Sequence, residues 1–255
     1  MTSRLPPHRA LEAAAGIRGV LVQKGLLKAI GAPVSDEVLE ELLRQEKILL
    51  ARVALSDKVS AVYMRSDPYA LILLNCTSTV GHQRFSLVHE LCHHFLHTEL
   101  NTWACPVAVQ GARGHEREAN QFAAAFLLPA RSVCDDFFRL MDETNDLCRS
   151  TIEICERYRT SWQSTVGRLR DLSLIGKHEQ DALLESKVMA LARKYEVSLD
   201  LFRPSGQLQI PAEFAELARD LRERAVISER KYQSLMDDLE ALMECGHPGV
   251  EVSKR

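Results

Sequence analysis

His89 and His93 stand four residues apart in the run Phe85-Ser86-Leu87-Val88-His89-Glu90-Leu91-Cys92-His93-His94-Phe95-Leu96-His97. On an α-helix that spacing stacks both imidazoles on one face, one turn apart, within reach of a single metal ion. Glu90 lies about 100° round the helix from His89 at 3.6 residues per turn. It can therefore sit beside a metal rather than on it, as the base for a water that the metal activates. Two imidazoles are too few. A catalytic zinc takes three protein ligands and keeps a fourth position open.

The third ligand is expected from the Ala-rich run Glu116-Arg117-Glu118-Ala119-Asn120-Gln121-Phe122-Ala123-Ala124-Ala125-Phe126-Leu127-Leu128-Pro129. Glu116, Asn120 and Ala123 fall on one helical face, and small residues there allow close approach to the histidine helix. Glu116 would complete a His2Glu site, and Asn120 would hydrogen-bond a ligating imidazole from behind. Glu118 and Glu99 are the alternative carboxylates. Zinc is the expected ion, and manganese accepts the same imidazole and carboxylate ligands. His97, one turn after His93, is expected to stabilise a developing oxyanion or to touch substrate; a hydrogen-bonded structural role is the competing reading. His82, His94 and His115 show no evident partner and read as surface or packing residues. Cys92 reads as a small buried hydrophobe, and Cys105 as the better candidate for a redox-sensitive thiol.

The elements that must carry these residues follow from periodicity. Residues 10–31 read as helical but are punctuated by Gly16, Gly19 and Gly25. A break at Pro33-Val34-Ser35-Asp36 precedes a helix to about Gln45, with Val38, Leu39, Leu42 and Leu43 inward. Ile48–Leu55, Val59–Met64 and Tyr69–Leu74 read as a three-stranded antiparallel sheet. The last strand, nearly all apolar, is expected at its centre. Thr77, Ser78 or Thr79 would cap the histidine helix at about 80–97. Residues 98–114 read as a long loop bordering the cleft, where Trp103 and Val107–Val109 either line a substrate pocket or pack.

Beyond Pro129 the chain reads as helical. Residues 151–158 and 162–172 have a helix–turn–helix rhythm with Ser161 as N-cap. Residues 178–196 and 211–244 read as further helices. Tyr232, Leu235, Met236, Leu239 and Leu242-Met243 form an apolar stripe suited to a core or a dimer surface. The fold class expected is α+β: a small antiparallel sheet packed on the His-Glu-x-x-His helix, then an all-helical C-terminal region. The divisions are 1–45, an N-terminal helical segment; 46–130, the catalytic core; 131–176, a helix-turn-helix-like subdomain; and 177–255, a C-terminal helical extension.

Arg84-Phe85-Ser86 before His89-Glu90-x-x-His93, then His97, Glu116-x-x-Ala119-Asn120-x-Phe122-Ala123 and Leu127-Leu128-Pro129, together resemble the ImmA/IrrE family of metallopeptidases. The resemblance covers roughly residues 45–175. It departs at Val88, Cys92 and Phe126-Leu127-Leu128, where apolar or small exchanges spare the chemical groups. It implies a zincin-like catalytic domain of the gluzincin type. It also implies hydrolysis of a regulatory protein, such as a helix-turn-helix repressor or a stress regulator. In such folds an edge strand often pairs with extended substrate backbone.

Composition narrows the field further. Hydrophobic and charged contents of 46% and 26% are those of an ordinary soluble globular chain. The net charge of −3 argues against a general nucleic-acid or membrane-surface binder. Residues 131–176 hold seven Arg, no Lys and eight acidic residues. Even so, Arg157, Arg159, Arg168 and Arg170 have no acid between them, which frames the alternative: a regulator using residues 151–172 to bind DNA or a partner protein. No run is apolar enough to span a bilayer, Met1–Arg9 lacks the apolar stretch of a signal peptide, and seven scattered cysteines suit a reducing cytoplasm.

Overall fold

A computed structural model describes residues 8–66, 68–99, 102–106 and 114–245 of the chain. Ile48–Val53 (β1), Val59–Ser66 (β2), Tyr69–Asn75 (β3) and Thr102–Pro106 (β4) form one sheet in the order β1-β3-β2-β4. Along β3, Ala70, Ile72 and Leu74 are buried on one face while Leu71 and Leu73 are half-buried on the other. A strand covered on both sides belongs inside a sheet, and β3 lies there, between β1 and β2.

Two expectations about the sheet are corrected. It is mixed rather than antiparallel: β1 runs parallel to β3, with Ile48 opposite Ala70, whereas β2 and β3 pair antiparallel as a hairpin. It also has a fourth strand, β4, antiparallel to β2 at the outer edge, inside the stretch expected to be loop. Buried Asn75 at the end of β3 holds the link that leads out of β1. Its amide donates to the carbonyls of Ser56 and Val59 at 3.2 and 2.9 Å and accepts from Leu55 N–H at 3.2 Å. Those bonds fasten the 54–58 link as it carries the chain past β3. Backbone that would otherwise be orphaned is satisfied there by a side chain.

The outer edge of β1 is covered by a returning segment. Arg52 and Gln209 exchange backbone hydrogen bonds at 2.7 and 2.9 Å, Gly206 N–H donates to Cys76, and Val80 N–H donates to Arg203. An open strand edge invites pairing with another chain, and this cover removes that hazard from β1.

Val80–Leu96 (α3) crosses the sheet behind its N-cap Thr79, which accepts from His82 N–H at 3.3 Å. Gly81 and nearly every residue from Gln83 to His93 are buried, so α3 is a central helix rather than a surface one. His115–Leu127 (α4) lies against it, with Ala119, Phe122 and Ala123 fully buried. On the far side, His8–Gln23 (α1) packs on α4. The buried guanidinium of Arg18 donates to the carbonyls of Phe126, Ile30 and Ala32. Burial draws its pKa down to about 10. Asp36–Gln45 (α2) begins at Ser35, as expected, and turns Leu39, Leu42 and Leu43 inward.

Pro129 ends α4 and opens Ala130–Thr144 (α5), followed by Leu147–Tyr158 (α6) and Trp162–Asp171 (α7), the last capped by Ser161. The turn between α6 and α7 touches α3 at Gly81. A Cβ there would lie 2.8 Å from Ser161 N and 3.0 Å from Thr160 C, both backbone atoms that cannot swing aside. Gly81→Ala should therefore destabilise the protein by about 1–3 kcal/mol, although Ala is the better helix former by ~1 kcal/mol. Urea unfolding monitored by circular dichroism would show it as a lowered midpoint; an unchanged or raised midpoint would mean the two segments do not meet.

The helix expected at 178–196 is broken at Ser186-Lys187 into Lys177–Glu185 (α8) and Val188–Lys194 (α9). After a 3-10 turn at Asp200–Phe202 and the cover segment, Ala212–Glu223 (α10) and Glu229–Cys245 (α11) form a hairpin. Within the expected stripe, Tyr232, Leu235 and Met236 are half-buried. The side chains of Leu239, Leu242 and Met243, the tail from 246, and Val107–Val109 lie outside the described residues. No helix of the described residues is long and apolar enough to cross a membrane.

Candidate metal centre

The α-helical rise brings His89 and His93 Nε2 to 3.2 Å of each other on the face of α3 that meets α4. From the first turn of α4, Glu116 places one carboxylate oxygen 3.4 Å from His89 Nε2 and the other 3.4 Å from His93 Nε2. Three donor atoms thus converge. For a tetrahedral zinc with bonds of about 2.0–2.1 Å, neighbouring ligand atoms are separated by about 3.3–3.4 Å. The observed separations fit that edge, so the three side chains could hold a metal ion.

Electrostatics at the triad point the same way. Burial pulls the His89 pKa down, but hydrogen bonding to Glu116 and the charges of Glu90 and Glu116 outweigh it, so the net shift is upward. A metal ion takes a neutral imidazole, so binding there would release any proton held on His89. Glu90, one residue on from His89, is fully buried, and its field is felt at that imidazole.

Behind the triad, His89 Nδ1 lies 2.9 Å from Asn120 Oδ1; with Nδ1–H donating to that amide oxygen, Nε2 would be the nitrogen to offer a lone pair to a metal ion. Small Ala119 and Ala123 permit the close packing of α3 on α4 that this contact needs. His97 is fully buried, with Nδ1 2.8 Å from His93 Nδ1 and Nε2 3.0 Å from Glu118 Oε2. Both of its ring nitrogens are thus engaged inside the protein. Glu118 faces His97 rather than the triad, and Glu99 pairs with His115 at 3.6 Å.

Sequence reasoning left three histidines without partners, and the structure supplies them. His82 Nε2 lies 3.1 Å from Ser60 Oγ, and His115 stacks edge-on to His97 at 4.1 Å between ring centroids. His94 Nδ1 lies 3.0 Å from Tyr63 Oη, and burial with nearby Arg65 lowers its pKa to about 4. Cys92 is fully buried, and burial pushes its thiol pKa well up, in keeping with a packing residue. The side chains of Trp103 and Cys105 lie outside the described residues. The His97–Glu118 pair had one signal in the sequence: a second histidine one turn after His93, matched by a second acid just after Glu116.

A cavity of about 250 Å³ opens elsewhere, between α2, β1, the first turns of α3 and residues 205–209. Its lining includes Asp36, Arg52, Gln83 and Arg84 but none of the triad, so the chemistry is not there. No curated protein matches the chain. Residues 45–170 match the family model described as Peptidase_M78, IrrE N-terminal-like domain. That span encloses the triad, Glu90, Asn120 and His97. Over residues 45–170, then, this chain is an IrrE N-terminal-like domain of the M78 peptidase family, and the protein is a metallopeptidase.

Proposed function

We propose that the protein is a zinc-dependent endopeptidase whose substrate is a regulatory protein, of the helix-turn-helix repressor class. The observation that carries the metal chemistry is the convergence of His89 Nε2, His93 Nε2 and the Glu116 carboxylate at 3.2–3.4 Å. His89, His93 and Glu116 would hold the ion, and Glu90, whose charge is felt at His89, would serve as the base beside it. A zinc ion held there supplies a Lewis acid that lowers the pKa of water and polarises the scissile carbonyl. Glu90 takes the proton from the attacking water and returns it to the departing amine nitrogen. Asn120 keeps His89 oriented for its role. β4, the last strand in the sheet order, is the edge to which an extended substrate backbone would add.

The contacts of residues 151–172 favour this reading over a DNA-binding regulator. Arg157 pairs with Asp136 at 2.8 Å, and Arg159 with Asp36 at 3.1 Å. Buried Arg168 donates to Leu128 O at 3.0 Å, and Arg170 donates to Ile175 O at 3.3 Å. Trp162, Thr165, Val166 and Leu169 of α7 are buried as well. Much of α7 is spent on the core; Arg157 and Arg159, though about half exposed, already face acids and buried Arg168 is held by a carbonyl, which leaves few guanidiniums to release counterions from phosphate.

The test uses the zinc-loaded protein and, as candidate substrates, purified helix-turn-helix regulators, starting with any that a neighbouring gene encodes. Cleavage should yield one new N-terminus and stop when a chelator removes the metal. An intact repressor, combined with salt-sensitive DNA binding by the protein itself, would overturn the reading in favour of the regulator.

A further inference from the structure

If His93 is to offer a lone pair from Nε2, its one ring proton must sit on Nδ1. That Nδ1 lies 2.8 Å from His97 Nδ1, between two fully buried rings. Two ring nitrogens so close share a single proton, one donating and the other accepting. What decides the direction is the far side of His97. Its Nε2 is 3.0 Å from Glu118 Oε2, and a carboxylate only accepts. His97 thus keeps its proton on Nε2, its Nδ1 becomes the acceptor, and His93 Nδ1 must be the donor. The lone pair of His93 is left on Nε2, facing His89 and Glu116.

We propose that Glu118 and His97 are positioning residues that act in series on His93. Glu118 selects the tautomer of His97, and His97 selects the tautomer and ring plane of His93. The proposal rests on the metal reading above and extends it outward by two residues. The two ligating histidines are then steered differently, His89 by one neutral amide and His93 by a buried imidazole–carboxylate pair. Arg9 of α1 anchors the outer end: it donates to Leu96 O at 2.6 Å and lies 3.8 Å from Glu118 Oε1.

The same residues admit a competing use, because donor atoms of His97, His115 and Glu118 also come within 4.8 Å of one another. A cation there would take the Nε2 lone pair of His97 and drive its proton to Nδ1. His93 Nδ1 would then have to accept, leaving a proton on the Nε2 that should face the first ion. The two sites exclude each other, and the alignment of Asn120, His89 and Glu116 favours the inner one.

The experiment compares wild type with Glu118→Gln, Glu118→Met and the double variant His97→Phe/Glu118→Met. Zinc dissociation constants come from chelator competition, metal stoichiometry from elemental analysis, and fold integrity from thermal unfolding of the metal-free proteins. Glu118→Met should weaken zinc binding by about 10–100-fold, the usual effect of losing an outer partner. Glu118→Gln, whose amide oxygen still accepts from His97, should recover most of that loss. The double variant removes the buried pair but leaves His93 Nδ1–H without its acceptor, so metal-free unfolding should stay cooperative with a lowered midpoint while zinc affinity stays low. The relay is overturned if Glu118→Met binds zinc within about threefold of wild type, or if Glu118→Gln is as weak as Glu118→Met. A second zinc per wild-type chain, lost in His115→Ala, overturns it in favour of the outer site. Wild type that binds no zinc refutes the metal reading, and the relay with it.

Discussion

Glu90→Gln should leave a protein that binds zinc with wild-type stoichiometry and cleaves its substrate at least ~10²–10⁴ times more slowly, the contribution typical of a general base. The carboxylate and the amide have nearly the same shape, so packing at this fully buried position is kept. Only the capacity to take a proton is removed. Because the effect falls on the chemical step, kcat should drop while KM changes little. Elemental analysis and cleavage rates measured on one preparation separate the two properties. A Glu90→Gln protein that is fully loaded with zinc and still cleaves near the wild-type rate would end the proposed mechanism.

Removing Glu116 should have the opposite signature. Glu116→Ala deletes one of three convergent side chains and leaves two imidazoles 3.2 Å apart as the remaining ligands for a divalent ion. Its zinc affinity should fall well beyond the about 10–100-fold range of an outer partner, so Glu116→Ala and Glu118→Met differ in degree as well as in cause. Thermal shift offers a second readout. Zinc at 1,000 times its dissociation constant stabilises the wild type by about 4 kcal/mol, and that increment should vanish in Glu116→Ala. If Glu118→Ala loses the metal and Glu116→Ala retains it, the ligand assignment is off by two residues.

The triad was legible because helical geometry turns a four-residue spacing into a shared face, and because a carboxylate followed by small residues marks a helix able to approach closely. The sheet was less so. A nearly continuous apolar run marks a strand as internal, and β3 was placed correctly on that basis, but such a run carries no information on parallel or antiparallel pairing. The link that makes that choice possible is fastened by Asn75, whose reach to residues 54–58 has no signature in the sequence. β4 was hidden because a five-residue stretch ending in Pro106 has the composition of a loop and is held by β2 from outside. The arginines of 157–170 left an alternative open for a different reason. Charge counted along the chain does not reveal that Asp136 and Asp36 arrive from other helices to meet two of them.

Arg18 sets the size of what folds together. It lies outside residues 45–170, yet its guanidinium is buried among carbonyls that include Phe126 O at the end of the ligand-bearing helix. The recognisable family domain and the cooperative unit are therefore different objects. Transplanted alone, residues 45–170 would lose the donor to Phe126 and bare the back of α4 to water, an exposed flank where the intact chain has interior. The peptidase is not a portable cassette in this protein; its catalytic helix is held from behind by sequence that carries none of the family's motifs.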